Sequence, residues 1–184
     1  MCFLYFEKAF VPEYVARLAV EVKEAIAAAD RCGLRIKTVY IGGGTPSILE
    51  PELLEVLMSS LAEALGGREI EEFTFEAGRP DTITAEKLAI AKKYGANRIS
   101  VNPQTLSAEV LSGIGRSHTV EDFYRAYSTA REVGIECINT DTGYAVGNYD
   151  LACSGVYSGY IYIIAVIIQP QGGNSVLAKY SVCI

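Results

Sequence analysis

Thr38-Val39-Tyr40-Ile41-Gly42-Gly43-Gly44-Thr45-Pro46-Ser47 is an apolar run that stops at three glycines, the pattern of a buried strand opening onto a ligand or onto a tight turn. Three residues without Cβ let backbone N–H and C=O groups approach a small molecule closely. Pro46 stiffens the exit, and Pro51 stands where a first helical residue is expected. The glycines therefore fall between the C-terminal end of a strand and a helix, where α/β proteins place their active sites. A βα turn with no ligand would use the same residues, so the glycines alone leave both readings open.

Working outward, helix and strand alternate up to about residue 141. Val15, Leu18, Ala19, Val22 and Ile26 recur at helical spacing with Glu21, Lys23 and Glu24 between them, and Gly33 can cap that helix. A strand is predicted over 36–41. Leu54, Leu57, Leu61 and Leu65 form the stripe of the next helix, ended by Gly66-Gly67, and Phe73 to Glu76 alternates as a strand. Thr84 is an N-cap for a helix carrying Leu88, Ala89 and Tyr94, after which Gly95 turns into a strand over 97–101. Pro103 ends that strand, and Gln104 begins a short polar loop or helix. Thr119 caps a helix with Phe123, Ala126, Tyr127, Ala130 and Val133 on one face and Glu121 and Asp122 near its positive end. Gly134 ends it, and a strand over 136–141 follows. Such a series predicts a parallel sheet with right-handed crossovers.

Composition narrows the function classes. The 184 residues are half apolar, enough for one domain with a sizeable core, and the net charge is -6. No basic cluster exceeds a pair, which argues against a nucleic-acid partner. The apolar start meets charge at once and has no basic lead, so no signal peptide is read and a cytoplasmic location is expected. Cys2, Cys32, Cys137, Cys153 and Cys183 are odd in number and never form Cys-x-x-Cys. They suit a reducing compartment, each more as an inert small apolar residue than as a ligand.

Polar residues follow each predicted strand. Glu76 ends one, Asn102 and Gln104 follow another and Asp141 ends the last, so a barrel-like array would gather them on the rim beside the glycines. Each has a structural alternative. Glu76 could serve a helix N-terminus or pair with Arg79, Asn102-Pro103-Gln104 could be a plain turn, Arg116 a solvated charge and His118 a structural histidine.

Taken together, Gly-Gly-Gly-Thr-Pro-Ser (42–47), Thr-Phe-Glu-Ala-Gly-Arg-Pro-Asp-Thr-Ile (74–83), Arg-Ile-Ser-Val-Asn-Pro-Gln-Thr (98–105), Ile-Gly-Arg-Ser-His-Thr (114–119) and Ile-Asn-Thr-Asp (138–141) resemble the oxygen-independent coproporphyrinogen III oxidase family of radical S-adenosylmethionine (SAM) enzymes, in its coproporphyrinogen dehydrogenase branch. The likeness runs in order from about residue 12 to 141. It implies that Gly42, Gly43 and Gly44, with Thr45 beside them, take the methionyl amino group of SAM. It also implies that Glu76, Gln104, Arg116 and Asp141 hold the methionyl and ribose parts, roles that suit carboxylates and a guanidinium. The implied chemistry is SAM cleavage at a [4Fe-4S] cluster and oxidative decarboxylation of coproporphyrinogen III to protoporphyrinogen IX. Relatives in the superfamily handle haem instead.

Two departures accompany the likeness. The family carries Cys-x-x-x-Cys-x-x-Cys before the helix matching residues 12–30, whereas only Cys2 stands in that neighbourhood here, and one thiolate cannot hold a cluster. After Asp141 the family continues into Gly-Leu-Pro-Gly, whereas this chain reads Thr142-Gly143-Tyr144-Ala145-Val146-Gly147-Asn148, and beyond Asp150 its single charged residue is Lys179. The run Gly159 to Ile168 is too short to span a bilayer and reads as an apolar strand. The expectation is a fragment: a partial (β/α) TIM-like barrel of the radical SAM type, incomplete at both ends. Residues 1–148 would form the partial core and 149–184 a divergent, frameshifted tail. The enzyme would be inactive as this chain, with a porphyrinogen as the parent family's substrate. The alternatives are a non-catalytic SAM or nucleotide-binding module and a non-functional gene product.

Overall fold

The computed structural model describes residues 10–43 and 45–141, together with the strand backbones at 162–169 and 176–179. Helix α1 (Val11–Arg31) leads into strand β1 (Arg35–Gly43), followed by α2 (Pro51–Leu65), β2 (Glu72–Glu76), α3 (Ala85–Lys93), β3 (Arg98–Ser100), α4 (Ala108–Gly113), α5 (Val120–Val133) and β4 (Cys137–Asn139). Strands β5 (Tyr162–Gln169) and β6 (Val176–Lys179) complete the described elements. The sheet order is β4-β3-β2-β1-β5-β6. Strands β1 to β4 are parallel, with Ile41 opposite Phe75 and Phe75 opposite Ile99, while β5 pairs antiparallel with β1.

The order 1-2-3-4 never reverses, and this decides the architecture. With right-handed crossovers, strands laid down in one direction put every connecting helix on the same face, as in a barrel wall rather than a doubly wound sheet. Alternation does the rest. Val39, Ile41, Phe73, Phe75 and Ile99 are buried against Leu54, Leu57, Met58, Leu61 and Leu88 of the helices in one core. Each such side chain contributes roughly 1.5–3 kcal/mol through burial. The odd-even partners Tyr40, Gly42, Thr74, Glu76, Arg98, Ser100, Cys137 and Asn139 stand on the opposite face of the strands.

The helix ends follow their capping residues. Thr84 accepts from the Lys87 N–H, Thr119 and Asp122 form a reciprocal capping box, and Gly66 and Gly134 close α2 and α5 in the left-handed conformation. Three expectations are corrected. β1 does not stop at the glycines but carries Gly42 and Gly43 within the strand, because β5 continues its antiparallel pairing alongside them, opposite Ile163 and Tyr162. β4 ends at Asn139, so Asp141 lies two residues beyond it. On α3 the buried face is Lys87, Leu88 and Ala91, not Ala89, which is exposed. Cys32 and Cys137 are both exposed free thiols. The expected strand at 159–168 is present from Tyr162 on and lies along the free edge of β1. Cys2, Gly44, Cys153, Cys183 and the proposed boundary at 148 lie outside the described residues. No described helix is long and apolar enough to cross a membrane.

The two sheet faces should respond differently to mutation. Phe75→Ala, which empties a fully buried site, is expected to cost about 3–5 kcal/mol in urea unfolding. Cys137→Ser on the exposed face is expected to stay within about 0.5 kcal/mol.

Candidate functional site

The C-terminal edge of the parallel strands collects polar groups from four successive strands. β1 outruns its last pair with β2 at Ile41 and Phe75, so the Gly43 N–H is left to a side chain. It donates to Glu76 Oε2 at 3.2 Å. Gly43 itself sits at φ 129°, a conformation that favours glycine. At Gly42 a Cβ would stand 2.6 Å from Glu76 Oε2 and would also run into the Tyr40 ring. Glycine is therefore required there by two neighbours that both belong to the polar face. The alternative partner for Glu76 does not apply: Arg79 pairs with Asp81 at 3.1 Å instead.

Tyr40 ties these groups to the next strands. Burial, then the charge of Glu76 and a hydrogen bond to its carboxylate, then the charge of Asp141, push the Tyr40 hydroxyl up to about 12, against a counteracting hydrogen bond from Ser100. A neutral phenol at this rim donates to Glu76 and lies within electrostatic reach of Asp141. Asp141 is fixed from two sides. Its N–H donates to Asn102 Oδ1 at 3.2 Å, and its Oδ1 accepts from Asn139 Nδ2 at 3.2 Å. Asn102 is also near Gly78, whose missing Cβ would touch Glu76 Oε1 at 3.6 Å and Asn102 Nδ2 at 3.8 Å. Glycine, phenol, two carboxylates and an amide thus converge from the ends of β1, β2, β3 and β4.

The remaining sequence-predicted residues are distributed around this group. Thr45 is buried next to the turn Pro46–Ile48. Gln104 is half-buried at φ 62°, a left-handed conformation uncommon outside glycine. Arg116 is exposed, and the structure does not bring its guanidinium into contact with Gly42, Glu76 or Asp141; its loop is held by the neighbours Ser117, on Arg79 at 2.8 Å, and His118, on the Pro103 carbonyl at 3.1 Å. Gly44 and Cys2 lie outside the described residues.

Three contributors escaped the sequence reading. Tyr40 and Ser100 share the face of Gly42 and Glu76 by strict alternation, a phase that could have been counted from Gly42. Lys87 carried only a weak signal, a lysine beside Leu88 on a helix. It is buried, and its Nζ donates to the carbonyls of Ser47 at 2.8 Å and Thr82 at 3.4 Å. With Ser47 Oγ and Thr82 Oγ1 2.5 Å apart, it staples the segment after the glycines to the segment after Glu76.

Among the described residues the donor set fits one implied cofactor group and not the other. A glycine packed directly against a carboxylate, a backbone N–H on that carboxylate and two acidic side chains suit the ammonium and hydroxyl groups of SAM. For a cluster the position is different. Cys32 follows α1 and Cys137 opens β4, so both lie at the opposite, N-terminal edge of the sheet. Among the described residues no group of three His, Cys, Asp or Glu could hold a metal.

One-way winding and a polar C-terminal rim are the features of a partial (β/α) barrel. The chain belongs to the radical SAM superfamily, whose family model matches residues 2–150. It is 44% identical over 109 residues to the oxygen-independent coproporphyrinogen-III oxidase-like protein HemZ of Bacillus subtilis, covering 59% of this chain and 22% of that protein. It is 40% identical over 132 residues to the heme chaperone HemW of the same organism, covering 71% and 34%. Its fold matches coproporphyrinogen III oxidase (HemN) from Escherichia coli, a radical SAM enzyme, with a TM-score of 0.57 at 24% identity over 71% of this chain and 30% of that one. The chain spans from about a fifth to a third of the length of these relatives.

The coupling of Tyr40 to Glu76 is open to titration. Tyr40 is expected to remain protonated at pH 11, where a free tyrosine is ionised, as read from its ¹³Cζ resonance assigned with Tyr40→Phe. Glu76→Gln should bring the titration down towards the usual value of 10.0. The folded state holds this proton more tightly than the unfolded chain. The associated stability is therefore complete below pH 10 and is lost as pH rises through about 12.

Proposed function

We propose that the C-terminal rim binds S-adenosyl-L-methionine, in a radical SAM protein of porphyrin and haem chemistry. Gly42, Gly43 and Gly44, with Thr45, approach the methionyl amino end, and Glu76, Gln104, Arg116 and Asp141 hold the methionyl and ribose parts. The observation that carries this reading is the Gly43 N–H on Glu76 at 3.2 Å beside a Gly42 that has no room for a Cβ. A ligand ammonium would compete for the same carboxylate with a charge-assisted hydrogen bond, the stronger kind. Asp141, steadied by Asn102 and Asn139, has carboxylate oxygens suited to ribose hydroxyls. Arg116 is the cation available for the methionyl carboxylate.

The reaction proposed for the whole protein is oxidative decarboxylation of coproporphyrinogen III to protoporphyrinogen IX, supported by the 44% identity to a coproporphyrinogen-III oxidase-like protein. A second reading, haem handling without decarboxylation, is favoured by the 40% identity to a heme chaperone over a longer stretch of this chain. No described residue supplies a cluster thiolate at the rim. Cys2 is the proposed cluster ligand.

Calorimetry with S-adenosylhomocysteine tests the rim. Wild type is expected to bind, and Gly42→Ala to weaken binding by about 1–3 kcal/mol, the scale of lost or strained polar contacts; equal affinities would remove the glycines from the site. Anaerobic incubation with coproporphyrinogen III and, separately, with haem divides the two readings. Carbon dioxide release with vinyl formation supports the first. A one-to-one Soret shift with no carbon dioxide supports the second.

A further inference from the structure

Loop 102–105 departs from ordinary backbone in one place. The Thr105 N–H donates to the Pro103 carbonyl at 2.7 Å, closing a three-residue turn around Gln104 at φ 62°. This is the left-handed form of the γ-turn, which is rare and strained. Strain of that kind persists where the surroundings over-determine it, and here a second group sits on the same carbonyl. His118 Nε2 is 3.1 Å from the Pro103 oxygen, and the ring is 3% exposed.

A carbonyl can only accept, so Nε2 carries a proton and donates. Nδ1 is buried and has no hydrogen-bond partner among the described residues. A proton on Nδ1 would have no acceptor among the described residues, so the hydrogen bond that places the ring is the one from Nε2. The loop bearing His118 is anchored independently. Ser117 Oγ accepts from Arg79 at 2.8 Å and donates to Asp81 at 3.2 Å, and Thr119 is locked in the capping box of α5. His118 therefore projects from a fixed point onto a strained turn.

We propose that His118 is a positioning residue for the cofactor rim: its Nε2–H on the Pro103 carbonyl holds the turn that presents Gln104. This rests on the reading of Gln104 as a SAM contact, and it assigns His118 a role exerted through the turn it holds.

The chain has a single histidine, so its ring nitrogens can be observed without assignment. Long-range ¹H–¹⁵N correlation at pH 7 is expected to show a proton on Nε2; an Nε2 without a proton would overturn the proposal. Exchange of the Thr105 amide should be about tenfold faster in His118→Leu, the scale of one lost hydrogen bond, and His118→Gln, which keeps an N–H donor, should restore protection. Unchanged exchange in His118→Leu, or no rescue by His118→Gln, would sink it. For S-adenosylhomocysteine, His118→Leu and Gln104→Ala should each weaken binding about tenfold, and the double variant no more than Gln104→Ala alone. Additive losses would mean that His118 does not act through Gln104. If wild type binds no S-adenosylhomocysteine, the proposed function fails, while the tautomer and the Thr105 exchange still decide the role of His118. If His118→Leu does not fold, the tautomer decides together with His118→Gln, in which Thr105 protection below the wild-type level counts against the proposal.

Discussion

Everything at the rim depends on the phase of side-chain alternation in a sheet wound one way. With β1 to β4 added in order and every crossover of the same hand, the helices can cover only one face. The phase that sends Val39, Ile41, Phe73, Phe75 and Ile99 into the helices necessarily sends Tyr40, Gly42, Glu76 and Ser100 to the other face. A register slip of one residue would invert both sets at once, burying Glu76 and exposing Phe75. The apolar core and the polar rim are therefore two consequences of one constraint.

Within the rim, the polar groups are satisfied by one another rather than by long-range charge pairs. Gly43 uses Glu76, Asp141 uses Asn102 and Asn139, and Tyr40 bridges from β1 towards Glu76 and Ser100. Short bonds between groups on adjacent strands fix geometry more firmly than surface ion pairs such as Arg17 with Glu13, which contribute little to stability. The loops above the rim are fastened in the same manner. Lys87, Ser47 and Thr82 join the first two βα segments, Ser117 joins the segment between α4 and α5 to the loop after β2, and His118 joins it to the loop after β3.

Membership of the radical SAM superfamily fits this division of labour, since a fold whose helices and strands are conventional leaves chemistry to its strand ends. The cysteines illustrate the limit of reading function from composition. Cys32 and Cys137 look equivalent to any other thiol in a count, yet both fall at the edge of the sheet away from the glycines, where the topology gives them no access to the rim.

Local rules in the sequence determined which segments became helices and strands, where Thr84 and Thr119 capped them, and that Glu76, Asn102 and Asp141 would follow strand ends. These features depend on neighbours within a few residues, through periodicity, capping and turn chemistry. Tertiary structure alone decided that β1 would carry Gly42 and Gly43 inside the strand, that Lys87 would be buried as a staple between two loops, and that Arg116 would be exposed while His118 reached Pro103. Those outcomes turn on the register between strands and on contacts 15 to 40 residues apart in the chain. No local pattern encodes such contacts, because each exists only after the sheet has placed both partners on the same edge.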